Sequence, residues 1–207
     1  LRARAEAARA AYDALAKELG TARHKAAASL SRQVTQAMQT LAMSGGKFEA
    51  VVQPGEPGVA GADLVEFRVA GHAGTTPRAL AKVASGGELA RISLALSVIA
   101  SRAARVPPRT YDDVDTGVGG PVPEVVARLL RELGNFHQVL CVTHLPQVAA
   151  CGNVHYEVEK RQSGSSTVSG VHLLNRTGRI DEIARMLGGI EITATTRKHA
   201  REMLGNN

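Results

Sequence analysis

Leu1, Ala5, Ala8, Tyr12, Leu15 and Leu19 recur at spacings of four and three, and the positions between them are mostly Arg, Glu, Ala and Lys. Apolar residues at that period form a narrow seam on one helix. The pattern suits a coiled coil, and equally a plain amphipathic helix packed on its own domain. In both cases the chain opens on a helical arm. Gly20 and Thr21 are expected to interrupt it. A second helix is predicted over residues 21–43, with Leu30, Val34, Ala37, Met38 and Leu41 on its apolar side and Ser44-Gly45-Gly46 as its stop. A start on Leu1 and not Met, already inside a helical pattern, reads as a fragment of a longer chain.

Beyond the arm the period changes. Residues 48–52 and 64–69 alternate apolar and polar and predict an antiparallel pair, with the Pro- and Gly-rich residues 54–61 as the loop between them. A long helix is expected over 85–105, ended by Pro107 and Pro108, and a short segment then leads to Asp112. Pro121 and Pro123 open another helix, which closes at Gly134. Residues 138–142 (QVLCV) read as a buried strand, residues 154–160 and 167–174 as an edge hairpin around a loop at 162–166, and residues 180–187 and 193–204 as terminal helices. The fold class is therefore α/β, a head on a helical stalk.

A chain of 207 residues can bury a core of one globular domain with an appendage. Lys and Arg exceed Asp and Glu by 25 − 19 = 6, which permits an anionic partner without identifying one. Cys141 and Cys151 have neither CxxC spacing nor a His at zinc-ligand distance, so they read as buried small hydrophobes of a reducing cytosol. No apolar run approaches the roughly 20 residues of a membrane span, and no membrane partner is expected. Scarce aromatics and the absence of Trp disfavour single-strand binding on stacked rings.

Three constellations could carry chemistry. In Ser85-Gly86-Gly87-Glu88, two glycines at a helix start let a phosphate approach free N–H groups, but Ser85 with Glu88 is also a capping box needing no ligand. Asp112, Asp113 and Asp115 crowd the end of a predicted strand, ahead of Thr116-Gly117-Val118-Gly119-Gly120. Adjacent carboxylates there suit a Mg²⁺ nucleotide site, or form a solvated turn. His144 leaves the C-terminal end of the QVLCV strand, where open α/β sheets place ligands, although a structural histidine fits as well.

The order of these segments carries a resemblance. Lys82-Val83-Ala84-Ser85-Gly86-Gly87-Glu88-Leu89-Ala90-Arg91, Asp112-Asp113-Val114-Asp115-Thr116-Gly117-Val118-Gly119-Gly120 and Val139-Leu140-Cys141-Val142-Thr143-His144-Leu145-Pro146-Gln147-Val148-Ala149 resemble the signature, Walker B with D-loop, and switch-histidine segments of the RecN family. Leu41-Ala42-Met43, Lys47-Phe48-Glu49 and Ala184-Arg185-Met186-Leu187-Gly188-Gly189 extend it over almost the whole chain. The resemblance implies the C-terminal lobe of an ABC-type ATPase head (residues 44–207) on the end of an antiparallel coiled-coil stalk (residues 1–43). It implies ATP and Mg²⁺ as cofactors. Ser85, Gly86, Gly87 and Glu88 would form the signature facing ATP on the opposite head of a homodimer. Asp112 would support Mg²⁺, Asp113 would serve as general base, Asp115 would lie in the loop between heads, and His144 would sense the γ-phosphate. The implied setting is cytoplasmic and nucleoid-associated, in recombinational repair of double-strand DNA breaks, with DNA as a partner.

Two departures stand out. Members of the family usually carry Glu where Asp113 stands, and an apolar strand where Pro108-Arg109-Thr110-Tyr111 stands. The P-loop pattern G-x-x-x-x-G-K-[ST] fails at Gly46-Lys47, which has Leu41 at the first glycine's place and Phe48 after the Lys. In RecN-like proteins the P-loop lies in the N-terminal half, so that half is an implied partner and this chain alone is expected to be inactive. The alternatives are a non-hydrolytic interaction module with a degenerate ATP site, or an ABC transporter subunit. Arg2, Arg4, Arg9, Arg23 and Lys25 on the arm are candidate DNA contacts or merely solvated charges.

Overall fold

A computed structural model of the chain describes residues 1–83, 85–101, 108–163, 166–188 and 192–205. It divides into two compact units, Leu1–Arg102 and Ala103–Asn207.

The first unit begins with one unbroken helix, α1 (Arg2–Met38). The expected break at Gly20 does not occur. Gly20 is buried, and a Cβ placed there would lie 3.2 Å from the Asp63 carboxylate, so the glycine lets a strand approach the helix instead of ending it. Gly20, Ala27, Val34 and Met38 are the buried residues of α1, lying along one stripe. The helix ends five residues before Met43, because Leu41 and Met43 are buried completely in the turn that follows. Gln39 holds that turn, accepting from the Gly45 N–H at 2.8 Å and donating to the Gly46 carbonyl at 3.0 Å.

The strands β1 (Lys47–Gly58), β2 (Gly61–Ala70) and β3 (Arg78–Ala79) form an antiparallel sheet in that order. Phe48 pairs with Val69 and Pro54 with Asp63, and the register shifts between Pro54 and Gly58. The segment 54–58, expected as loop, is therefore strand. Pro is tolerated because β1 is an edge strand, and the irregular register falls in the same stretch. Side chains of α1 cover that edge. Thr35 accepts from the Phe48 N–H at 3.0 Å and donates to its carbonyl at 3.2 Å, and Ser31 accepts from the Ala50 N–H at 2.9 Å.

Near the hairpin tip, Tyr12 Oη accepts from the Gly58 N–H at 3.0 Å and donates to the Gly58 carbonyl at 3.2 Å. Arg23 reaches the Ala60 carbonyl at 2.6 Å and Asp63 at 3.1 Å. Tyr12 thus leaves the seam to bind the sheet, while Leu1, Leu15 and Leu19 stay exposed. A short 3-10 turn (Leu80–Lys82) leads from β3 toward α2 (Gly86–Ala100), which buries Ile92 and Leu94. The rings of Phe48 and Phe67 stand 5.4 Å apart in the same unit. The rest of the helix expected to reach Arg105, and Pro107, lie outside the described residues.

The second unit holds a parallel pair, β4 (Arg109–Tyr111) and β5 (Val139–Cys141), joined through α3 (Val122–Gly134). Pro123, Val126, Ala127, Leu130 and Leu133 are the buried residues of α3. α4 (Pro146–Cys151) follows β5. The hairpin β6 (Tyr156–Ser163) and β7 (Ser166–Leu173) is an antiparallel pair with no further strand among the described residues. α5 (Arg176–Gly188) and α6 (Ala194–Gly205) pack with α4 around Ala149, Ala150, Ile183, Ala184 and Ala200. The burial expected for the QVLCV strand is not found. Leu140 and Val142 are each more than half exposed, because among the described residues β5 pairs only with β4 and no element covers these two side chains. Thr110, which looked unsuited to a central strand, is exposed on β4. Cys141 and Cys151 are free thiols and only half-buried.

Candidate functional site

The residues singled out in the sequence fall into two groups, one in each unit. In the first, Ser85 is extended (φ −94°, ψ 118°) and caps α2, its Oγ accepting from the Glu88 N–H at 3.3 Å. The capping-box expectation holds on that side. The Glu88 carboxylate turns toward His72, at 3.7 Å, and lies beside Gly71. Gly86 is exposed, and a Cβ there would meet nothing within 4 Å. Packing within the chain therefore does not require glycine at 86, and the open space suits a close-approaching ligand at a positive helix end.

In the second unit, the parallel register sets Tyr111 opposite Cys141, so both strands deliver their next residues to the same end. The Val142 N–H donates to the Tyr111 carbonyl at 2.9 Å and continues the ladder past the strand ends. Asp112 and Asp113 leave β4 exposed. Asp112 Oδ1 accepts from the Asp113 N–H at 3.0 Å. Asp113 adopts a left-handed backbone with φ 57°. Asp tolerates that conformation better than most residues, since its short carboxylate bonds locally. Here Asp113 Oδ1 accepts from Thr116 Oγ1 at 3.1 Å. Val114 then turns inward and is wholly buried, followed by Asp115 at 2 % exposure.

Asp115 joins the two strand ends. Its Oδ2 accepts a short hydrogen bond from Thr143 Oγ1, and its Oδ1 lies 3.8 Å from His144 Nδ1. Thr143 Oγ1 also accepts from the Leu145 N–H at 3.0 Å, which fixes the start of α4. His144 is 71 % exposed, with its ring free to meet a ligand. Cys141 lies behind this cluster, and burial, with Asp115 and Asp112 adding to it, pushes its thiol pKa up to about 12. It stays a neutral thiol at physiological pH, outside any nucleophilic role.

Asp112, Asp113, Asp115 and His144 are thus brought to one end of one sheet. Thr143, which the sequence places in the switch-histidine segment without a role of its own, is what ties Asp115 to the end of β5. A lone Thr after a strand has no spacing signal, and only the fold shows that its hydroxyl holds a buried carboxylate. Thr143→Val is expected to lower stability by about 2 kcal/mol, because Asp115 stays buried without its donor. Thr143→Ser should recover most of the loss. Urea unfolding of the variants measures it, and a change below about 0.5 kcal/mol for Thr143→Val would contradict the assignment.

Among the described residues no three His, Cys, Asp or Glu side chains converge as a metal cage. Mg²⁺ does not require one. It is ordinarily bound through one or two carboxylates, waters and substrate phosphates, which the exposed Asp112 fits.

No protein-family model matches the chain. It is 46 % identical over 192 residues to the DNA repair protein RecN of Xylella fastidiosa, covering 91 % of this chain and 34 % of that protein. Over 195 residues it is 41 % identical to RecN of Vibrio cholerae (93 % and 35 %), and over 212 residues 41 % identical to RecN of Streptomyces coelicolor (96 % and 37 %). The chain spans about a third of the length of the curated relatives it matches. Among solved structures, the Smc head domain with a coiled coil from Pyrococcus yayanosii aligns at 20 % identity and a TM-score of 0.56, covering 74 % of this chain and 28 % of that one. A chain from work on ATP-driven dimerization and DNA stimulated activation of SMC ATPases aligns at 19 % identity and a TM-score of 0.51, over 83 % of this chain and 99 % of that one. At such identities these structures show the fold alone, that of an SMC-type ATPase head. The sequence relatives show more: the chain belongs to the RecN family of DNA repair proteins, matching their C-terminal portion.

Proposed function

We propose that the chain is the C-terminal head lobe (residues 44–207) and stalk end (residues 1–43) of an ATP-driven protein of double-strand break repair, working at the nucleoid in the cytoplasm. The observation that carries this reading is the parallel β4–β5 pair, whose ends present Asp112, Asp113 and His144 together around the buried Asp115–Thr143 bond. Bound ATP with Mg²⁺ would supply the γ-phosphoryl group and much of the charge neutralisation for its transfer. Asp112 holds the metal, directly or through water. Asp113 orients the attacking water and takes its proton. His144 donates to the γ-phosphate oxygens from its exposed ring. Asp115 acts on them only indirectly, fixing the β5 end from which His144 projects. Ser85, Gly86 and Gly87, at the cap of α2, serve the nucleotide of a second head in a homodimer.

An N-terminal half bearing the P-loop completes each head. Two exposed faces support that partner. Leu140 and Val142 lie bare on β5, and Tyr156, Val158, Val171 and Leu173 form one apolar face of the β6–β7 hairpin, where Tyr156 pairs with Leu173 and Val158 with Val171. No described helix is long and apolar enough to cross a membrane.

The composite site predicts complementation. Full-length protein with Ser85→Arg and full-length protein with Asp113→Asn should each lose ATP hydrolysis. Mixed, they should regain part of it, since one of the two sites in a mixed dimer then carries neither defect. If the mixture stays inactive while both variants bind nucleotide and dimerise, the composite-site reading is wrong. A non-hydrolytic docking role, favoured by the short Asp113 bound to Thr116, would show as nucleotide binding without turnover in the unaltered protein.

A further inference from the structure

The first unit carries a charged groove whose lining includes none of residues 85–88. It is a depression of about 510 Å³ lined by Glu66, Arg68, Pro77, Arg78, Ala79 and Lys82. β3 is the outer strand of its sheet, pairing Ala79 with Arg68 and Arg78 with Val69, and the 3-10 turn brings Lys82 to the same place. Glu66 offsets one of the three cations, binding Arg68 at 2.5 Å. Arg78 and Lys82 are exposed and have no acidic partner among the described residues.

On the arm, three of the five arginines are ion-paired. Arg2 is matched by Glu6 at 3.1 Å, Arg9 by Asp13 at 3.0 Å and Arg23 by Asp63 at 3.1 Å. A depression on α1 sets Glu18 between Lys17 and Lys25, whereas in the depression at β3 Arg78 and Lys82 are both left without an acidic partner among the described residues. The lining also excludes most small ligands. A small-molecule site is mainly apolar, with a few placed polar groups. This one has long cations around Pro77 and Ala79, and no aromatic ring to stack a base. Such a surface holds repeated anionic charge without reading shape.

We infer that Arg78 and Lys82 form a contact site for the phosphodiester backbone of duplex DNA, an inference that rests on the DNA-repair reading above. Each phosphate neutralised releases counterions, so binding that uses both residues steepens the salt dependence of affinity by about 0.9 per contact in a log–log plot.

The test uses full-length protein, a fluorescent duplex of arbitrary sequence, and anisotropy titrations at several salt concentrations. Arg78→Ala with Lys82→Ala is expected to flatten the slope by nearly 2 units for two lost contacts, equally for unrelated sequences. Binding of a fluorescent ATP analogue should be unchanged. Arg78→Lys should keep the slope. Both positions are exposed, so folding is not at stake, and circular dichroism confirms it. An unchanged slope, with the unaltered protein binding DNA normally, overturns the inference and leaves the repair reading standing. A loss of nucleotide binding with the DNA slope intact also overturns it and reassigns the groove to nucleotide phosphates. Failure of the unaltered protein to bind DNA at low salt removes the repair reading and the inference together.

Discussion

Replacing Asp113 with Glu is expected to raise ATP turnover of the full-length protein by up to about a hundredfold, since displacing a reacting group by about an ångström costs rates of that order. The aspartate holds its carboxylate close to the backbone, where Thr116 binds it at 3.1 Å. One methylene more would carry the carboxylate outward from the strand end. The gain has a counterweight in folding. Position 113 is left-handed, at φ 57°, a conformation Asp supports through its short side chain and Glu does not. Asp113→Glu should therefore lower stability by about 1 kcal/mol while raising kcat. Steady-state hydrolysis and urea unfolding on the same samples check both halves. A slower or unchanged kcat would mean that Asp113 is already well placed, or that water is oriented by another group.

The second large effect is expected at Arg91. This side chain is buried at 4 % exposure in α2, and its Nε donates to the Leu41 carbonyl at 3.0 Å, in the turn that ends the stalk helix. Burial lowers its pKa, partly opposed by the nearby Glu88, yet a guanidinium remains charged at any pH the fold survives. Arg91→Ala removes a charge-assisted bond, strands a carbonyl and empties the space of the long stem. The expected loss is about 3 kcal/mol, read from the midpoint of urea unfolding. Arg91→Lys should recover little, because an ammonium at the chain end cannot replace a donor at the Nε position. A loss below about 1 kcal/mol would show that water or a neighbour satisfies Leu41 in its place.

How much of this was legible beforehand depended on whether a feature was local. The β4–α3–β5 order and the Ser85 cap follow from prolines, glycines and an apolar run that act locally, whereas the gathering of Asp112, Asp113 and His144 is implied by the family resemblance and depends on the pairing of β4 with β5. The errors came from residues whose environment is set elsewhere. Gly20 reads as a break because glycine costs a helix about 1 kcal/mol. The approach of Asp63, forty-three residues later, explains its place. Residues 54–58 were read as loop from their prolines and glycines, yet pairing with β2 draws them into an edge strand. Leu140 and Val142 looked buried because apolar runs usually are. Their exposure shows that an apolar run records hydrophobicity but not whether this chain covers it.

The two side chains that bind α1 to the hairpin tip, Tyr12 and Arg23, have a mechanical consequence. A helix of 37 residues is a rod about 55 Å long at 1.5 Å per residue. Tyr12 and Arg23 pin it to the β1–β2 tip, and Thr35 and Ser31 pin it again along the β1 edge. A rod held at several points cannot swivel about any one of them. A sideways push on its free first ten residues therefore becomes torque on the whole sheet. Because β2 is bonded to β3, that torque reaches β3 and the short turn that follows it. Hydrogen bonds thus tie the arm to this sheet, and removing the Tyr12 hydroxyl would put slack in that tie.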